Sequence, residues 1–266
     1  GADSILGITG WRWVFLINMP IGAIALFMVW RFLHVPQVKH DHKIDWWGVL
    51  TVILAVTPLL LVAENGREWG WDSTNSILCY VLGIAGIALF IWAEARMGEA
   101  ALIPLSLFKS VTFSQITILG VLVGFAMFGA MMTIPLFMQL VIGSTPTESG
   151  IQMLPMVFGM MLATGVGGRV ISKTGKYKIL PIIGTGLMVF SFAWLSQISK
   201  DSDYVFIMVG MMSVGIGLGL MMQTLTIASQ NAVDARQMGV ATAGATFFRQ
   251  IGGTLGTAIL FSVLFG

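Results

Sequence analysis

Arg249 is the residue whose chemistry most demands an explanation. It stands in the apolar run 238–264, about 11 residues from its start. At ~1.5 Å of rise per residue, that is roughly 16 Å into a hydrocarbon layer ~30 Å thick. A guanidinium at that depth costs at least ~2.5–3.5 kcal/mol unless it is paired or wetted. The side chain is therefore expected to face the protein interior. Two readings follow: a cation serving substrate or proton movement, or a structural clamp on helix carbonyls or a glutamine. Gln250 follows it, so the polar patch spans two positions.

Other candidates are softer. Phe125, Phe128, Met131 and Met132 precede Pro135. Aromatic and Met side chains build adaptable apolar pockets suited to varied small molecules. They also pack ordinary helices against each other or lipid, and that is the commoner use. His34, His40, Asp41 and His42 share one polar stretch, but their spacing matches no standard zinc pattern, so a solvated linker is expected and no metal or cofactor. No nucleophile–base pair or paired carboxylate suggests hydrolysis, so the chain reads as something other than an enzyme. No Asp or Glu falls mid-way along an apolar run; Glu64 and Glu94 lie at the ends of theirs.

The composition says what must position these residues. Hydrophobic residues make up 56% of the 266 and charged ones 10%, with 32 Gly and 18 Met. Soluble domains carry roughly 25% charge, and a chain this size has too little interior to hide so much apolar surface. Gly lets membrane helices approach closely. The expectation is an all-α, polytopic membrane helix bundle. Eight runs near the ~20-residue crossing length occur at about 14–33, 46–63, 76–93, within 111–147, and at 150–168, 179–198, 204–228 and 238–264. Within them, Gly215/Gly219 and Gly252/Gly256 have a Gly-x-x-x-Gly spacing that predicts close helix packing. Net charge is +2 and no long basic run calls for nucleic acid; Cys79 is the lone cysteine, so no internal disulfide can form.

Loop charges supply a check. Ten of the 14 Lys and Arg fall in alternate connections, the largest group being Arg169, Lys173, Lys176 and Lys178. Arg12, Arg67 and Lys200 occupy the others. Basic loops stay cytoplasmic, so the chain is expected to start outside and residues 64–71 to be external. Trp11, Trp13, Trp46, Trp47, Trp69 and Trp71 sit at predicted helix ends, as an interfacial aromatic belt requires. This parity, with apolar runs close to both ends, predicts a piece of a longer protein.

Four strings carry a resemblance. The first is Trp11-Arg12-Trp13-Val14-Phe15-Leu16-Ile17-Asn18-Met19-Pro20-Ile21-Gly22; the second runs from Glu64 to Trp71 through Asn65-Gly66. The third is Gly168-Arg169-Val170-Ile171-Ser172-Lys173-Thr174-Gly175-Lys176. The fourth starts at Asn231 and continues through Phe248-Arg249-Gln250-Ile251-Gly252-Gly253 to Gly256. Together they resemble the major facilitator superfamily, in its 14-helix drug:proton antiporter branch of EmrB/QacA type. The third resembles the branch's cytoplasmic Gly-x-x-x-Asp-Arg-x-Gly-Arg loop, with Ser172 where the acid is usual and lysines where arginines are.

The resemblance implies a partial major facilitator fold covering helices six to thirteen. Residues 1–33 would be an external loop and the last helix of the N-terminal bundle. Residues 34–110 would be a linker with two extra central helices, joined by a turn at Asn65-Gly66. Residues 111–266 would be five of the six C-terminal helices. It further implies proton-coupled efflux of small hydrophobic or cationic molecules by alternating access, from the plasma or inner membrane, with the coupling carboxylate in the absent N-terminal half. Arg249, Phe125, Phe128 and Met132 are the substrate or coupling candidates, and Gly168, Lys173, Gly175 and Lys176 the conformational-loop motif. Partners would be the bilayer, the substrate, protons and periplasmic or outer-membrane efflux components. A nutrient symporter or uniporter, or a non-transporting scaffold on the same fold, are the alternatives.

Overall fold

The computed structural model describes residues 4–5, 8–33, 45–175, 177–200 and 202–265. Two compact units are present, residues 1–43 and 44–266. His34, His40, Asp41, His42 and Lys176 lie outside the described residues.

In the first unit a minimal hairpin, β1 (Ser4–Ile5) with β2 (Ile8–Thr9), leads into α1 (Gly10–Leu16) and α2 (Asn18–Phe32). One helix is expected over 14–33; two are found, meeting at Ile17. Pro20 explains the interruption. It has no N–H to give the Leu16 carbonyl, so the ladder loses that rung. The Trp11–Trp13 anchor is itself helical and belongs to α1.

The second unit opens with an antiparallel hairpin of α3 (Trp46–Trp69) and α4 (Thr74–Met97). Asp45 caps α3, accepting a bond from the Gly48 N–H at 2.7 Å. The expected turn at Asn65-Gly66 is absent. Asn65 instead donates to the Leu61 carbonyl from within the helix, and Gly66 is buried beneath the Trp71 ring. The chain turns at Gly70, where φ is +86° and a side chain would be strained. The Ser76 hydroxyl closes this turn by donating to the Gly70 carbonyl at 2.6 Å.

Two short 3₁₀ turns, Gly98–Ala100 and Leu105–Lys109, lead to α5 (Val111–Phe137), which runs into a π turn at Met138–Ile142. The short α6 (Pro146–Gln152) starts with a Thr145/Glu148 capping box and precedes α7 (Leu154–Thr174). Then come α8 (Ile179–Leu195), α9 (Tyr204–Asn231) and α10 (Met238–Phe265). Among the described residues, six helices are long and apolar enough to cross a membrane. Asn18–Phe32 and Ile179–Leu195 are apolar but shorter.

α9 is the most buried helix, with α7 and α8 packed on it; α10 pairs with α5, and α3 touches α10. Glycines permit these contacts. A Cβ on Gly215 or Gly219 would meet the backbone of Met156 or Met160 on α7. Gly252 and Gly256 stand equally close to Val121 and Phe125 on α5. The core between them is rich in methionine: Met138, Met156, Met188, Met211 and Met221. The outer faces show the opposite of a soluble protein. Ile182 and Val189 are each 70% exposed, as suits side chains that lie against lipid rather than water.

Candidate transport site

Arg249 sits in the middle of α10 and is half-buried. It lines a cleft with Ile116 and Gly120 of α5 and Leu225, Thr226 and Ser229 of α9. The hydroxyls of Thr226 and Ser229 donate to carbonyls of their own helix, Met222 and Thr226. The Arg249 main chain is the tightest point of the α5–α10 crossing, since it abuts Gly124 directly.

Gln250, the next residue, is exposed and belongs to a different surface. It shares an open depression of about 810 Å³ with Gln230, Thr242 and Thr246. Gln230 donates to the Thr242 hydroxyl at 3.3 Å. Thr242, Thr246, Gln250 and Thr254 recur every four residues, so they form one polar stripe along α10. Attention to intramembrane charge alone passes over this stripe. Its four-residue spacing is the signal that reveals it.

The aromatic and Met candidates are not gathered in one place. Phe125 lines an apolar cavity of about 550 Å³ with Phe137, Phe192 and Leu260, between α5, α8, α9 and α10. Phe128 faces another, of about 590 Å³, shared with Glu64, Arg67, Glu68, Trp71 and Phe261. Met131 and Met132 are exposed on the outer surface of α5.

The conformational-loop motif is only partly a loop. A helix end near 168 is expected, but α7 continues to Thr174. Ser172 and Thr174 bond back to the carbonyls of Gly168 and Val170, and nothing breaks the ladder before Gly175. Gly175 ends the helix in the left-handed region, φ +66°, donating its N–H to the Ile171 carbonyl at 2.8 Å. Gly168 lies inside α7 against Gln223 of α9, and Lys173 in the last turn. Asp45 and Glu94 also escape a reading confined to helix middles: both are almost fully buried.

A sheath of lipid-facing side chains around glycine-packed helices, with one cation half-buried in an interior cleft, describes a polytopic membrane protein. The profile of the Major Facilitator Superfamily matches residues 2–257. The chain belongs to that superfamily. It is 36% identical over 257 residues to the multidrug transporter protein MdtP of Bacillus subtilis (strain 168), covering 96% of this chain and 47% of MdtP. It is 36% identical over 221 residues to a tetracycline resistance determinant of Streptomyces rimosus, covering 83% of this chain and 64% of that protein. Multidrug resistance protein 3 of B. subtilis (strain 168) is 32% identical over 263 residues, covering 98% of this chain and 50% of the relative. The chain thus spans about half the length of several curated relatives that it matches. It is a multi-pass plasma-membrane protein.

Proposed function

We propose that this chain is the C-terminal transport half, with two preceding central helices, of a proton-coupled multidrug exporter that works by alternating access. The observation that carries the reading is the α10 surface. One helix presents a half-buried cation, Arg249, in an interior cleft and a polar stripe, Thr242–Thr246–Gln250–Thr254, whose first two members border that cleft and whose last two are exposed. Thr242 and Thr254 return their hydroxyls to the Met238 and Gln250 carbonyls of their own helix, but the amide of Gln250 facing lipid would cost free energy. Against a second bundle the stripe lines a watered path at the midplane, where two-half transporters hold substrate. The names of MdtP, the tetracycline determinant and multidrug resistance protein 3 support drugs as cargo.

Within this reading Arg249 repels or positions charge beside the substrate path. Phe125 and Phe128 give apolar walls on either side of α5, and Gly175 and Lys173 form the hinge-like end of α7. The coupling carboxylate belongs to the other half. Expression of the intact protein in a drug-hypersusceptible strain tests export. Proton release from acidified everted vesicles on adding drug tests coupling. Unchanged susceptibility overturns export, and drug movement without proton release overturns antiport.

A further inference from the structure

Asp45 and Glu94 are 5% and 1% exposed, and they come from the start of α3 and the end of α4. Both reach the same short backbone segment. Asp45 Oδ2 accepts from the Leu102 N–H at 3.2 Å, and Glu94 Oε2 from the Ile103 N–H at 3.0 Å. Asp45 Oδ1 is taken by the Gly48 N–H. Glu94 Oε1 is buried and has no hydrogen-bond partner. A Cβ on Gly48 would overlap the Asp45 carboxylate and come within 3.0 Å of Glu94 Oε1, so both carboxylates approach the same glycine. Ala93, beside Glu94, and Ala101 and Ile103, flanking Leu102, are buried too.

Such a site is incomplete with both acids ionised. An unpaired buried carboxylate oxygen carries its full desolvation cost. Two like charges in a poorly polarisable pocket repel. The described charged residues on adjoining elements do not help. Arg96 is exposed, its guanidinium 4.1 Å from the Trp92 ring centre, and Lys109, Asp234 and Arg236 are exposed. Among the described residues, none of them pairs with either acid. A metal ion fits poorly, because three N–H groups point into the site as donors. A proton on Glu94 Oε1 cancels one of the two charges and removes the bare anionic oxygen from the buried site.

We propose that Asp45 and Glu94 form a proton-binding site, one proton held between two carboxylates, which clamps Leu102 and Ile103 to the α3–α4 hairpin. The site is separate from the Arg249 cleft and does not depend on the transport reading. Loss of the proton leaves two buried negative charges facing each other, and the clamp opens.

Infrared difference spectroscopy of the purified protein in lipid decides the matter. At neutral pH the wild type should show the C=O band of a buried protonated carboxylic acid, shifted in D₂O. The band should be lost in Glu94→Gln, altered in Asp45→Asn and untouched in Glu148→Gln. Absence of the band in the wild type overturns the proposal without any variant needing to fold. So does a band unchanged by both Glu94→Gln and Asp45→Asn, or a band produced only by sodium removal. The clamp is read separately, by proteolysis of residues 98–110. Cleavage should rise as alkaline pH removes the band, and Glu94→Gln should stay protected. An equal rise in both proteins sinks the clamp.

Discussion

Replacing Gly124 by Ala adds one methyl group at the tightest point of the α5–α10 crossing. The new Cβ would overlap the Arg249 carbonyl oxygen and lie 2.9 Å from its carbon and 3.0 Å from the Gly253 nitrogen. Comfortable carbon contacts are about 3.5–4.0 Å, so the helices must part by roughly 1 Å. All three obstructing atoms are main chain, and no rotamer change clears them. A gap of that size forfeits about a quarter to a half of each dispersion contact, and overpacking of this kind costs about 1–3 kcal/mol. Against it stands the gain from removing glycine's freedom, about 0.4–1 kcal/mol. The net expectation is destabilisation of about 1–2 kcal/mol, a factor of roughly 5 to 30 in the folded ratio. Gly165 is the internal control. It lies in α7 with nothing within 4 Å of an added Cβ, so Gly165→Ala should be neutral or slightly stabilising. The assay is reversible unfolding in bicelles, by steric trapping or detergent titration, on both variants side by side. The reasoning is refuted if Gly124→Ala matches or exceeds the wild type, or if the two variants lose equal stability.

Arg249→Leu should abolish drug export by the intact protein while sparing insertion, and Arg249→Lys should retain part of it, since the charge survives but the planar fork is lost. Wild-type export by Arg249→Leu at matched membrane abundance would reduce the residue to a structural role. In a Cys79→Ser background, a cysteine replacing Asp72 should react with an impermeant reagent from outside intact cells, and one replacing Lys173 should not. Reversal of that pattern inverts the topology; Gly66 is a poor reporter because the Trp71 ring covers it. Vesicles holding residues 1–266 alone should show no drug-driven proton movement, and any such movement would overturn the two-half reading.

The class of fold was legible because it rests on counts over long windows. Six of the eight expected runs give helices long and apolar enough to cross a membrane, those near 14–33 and 179–198 give shorter ones, and the Gly215/Gly219 and Gly252/Gly256 spacings do mark close helix contacts. Boundaries were less legible, for local reasons. Asn65-Gly66 carries a turn signal, yet in a helix with an aromatic ring laid over the glycine the signal is overridden, and the next glycine stops the helix instead. Gly168 likewise ends nothing, because the hydroxyls after it bond back into the ladder. Sites were the least legible. Phe125, Phe128 and Met132 share one face of α5 by spacing, but along that face the surroundings change from one cavity to another and then to the exposed surface. The buried acids Asp45 and Glu94 sit at helix ends, where charge is ordinarily solvated; only the folding of residues 101–107 over them shows otherwise.

The contact between Gly124 and Arg249 joins two properties that the sequence presents separately. The cation's own carbonyl is the knob that the smallest side chain on α5 admits, and Gly252 and Gly256, one and two turns further along α10, repeat the arrangement against Val121 and Phe125. Lateral displacement of α10 against α5 therefore carries the Arg249 main chain with it, so the crossing sets the point from which the side chain reaches into its cleft. It follows that Gly124→Ala should perturb export more than its stability cost alone explains. A second variant of similar steric cost, placed where α7 meets α9, separates the two effects. Gly215→Ala suits, since its Cβ would overlap the Met156 carbonyl oxygen and lie 2.8 Å from its carbon, again main chain. If both variants, matched for folded protein in the membrane, lower export equally, packing at Gly124 sets stability only and Arg249 is not held in place by it.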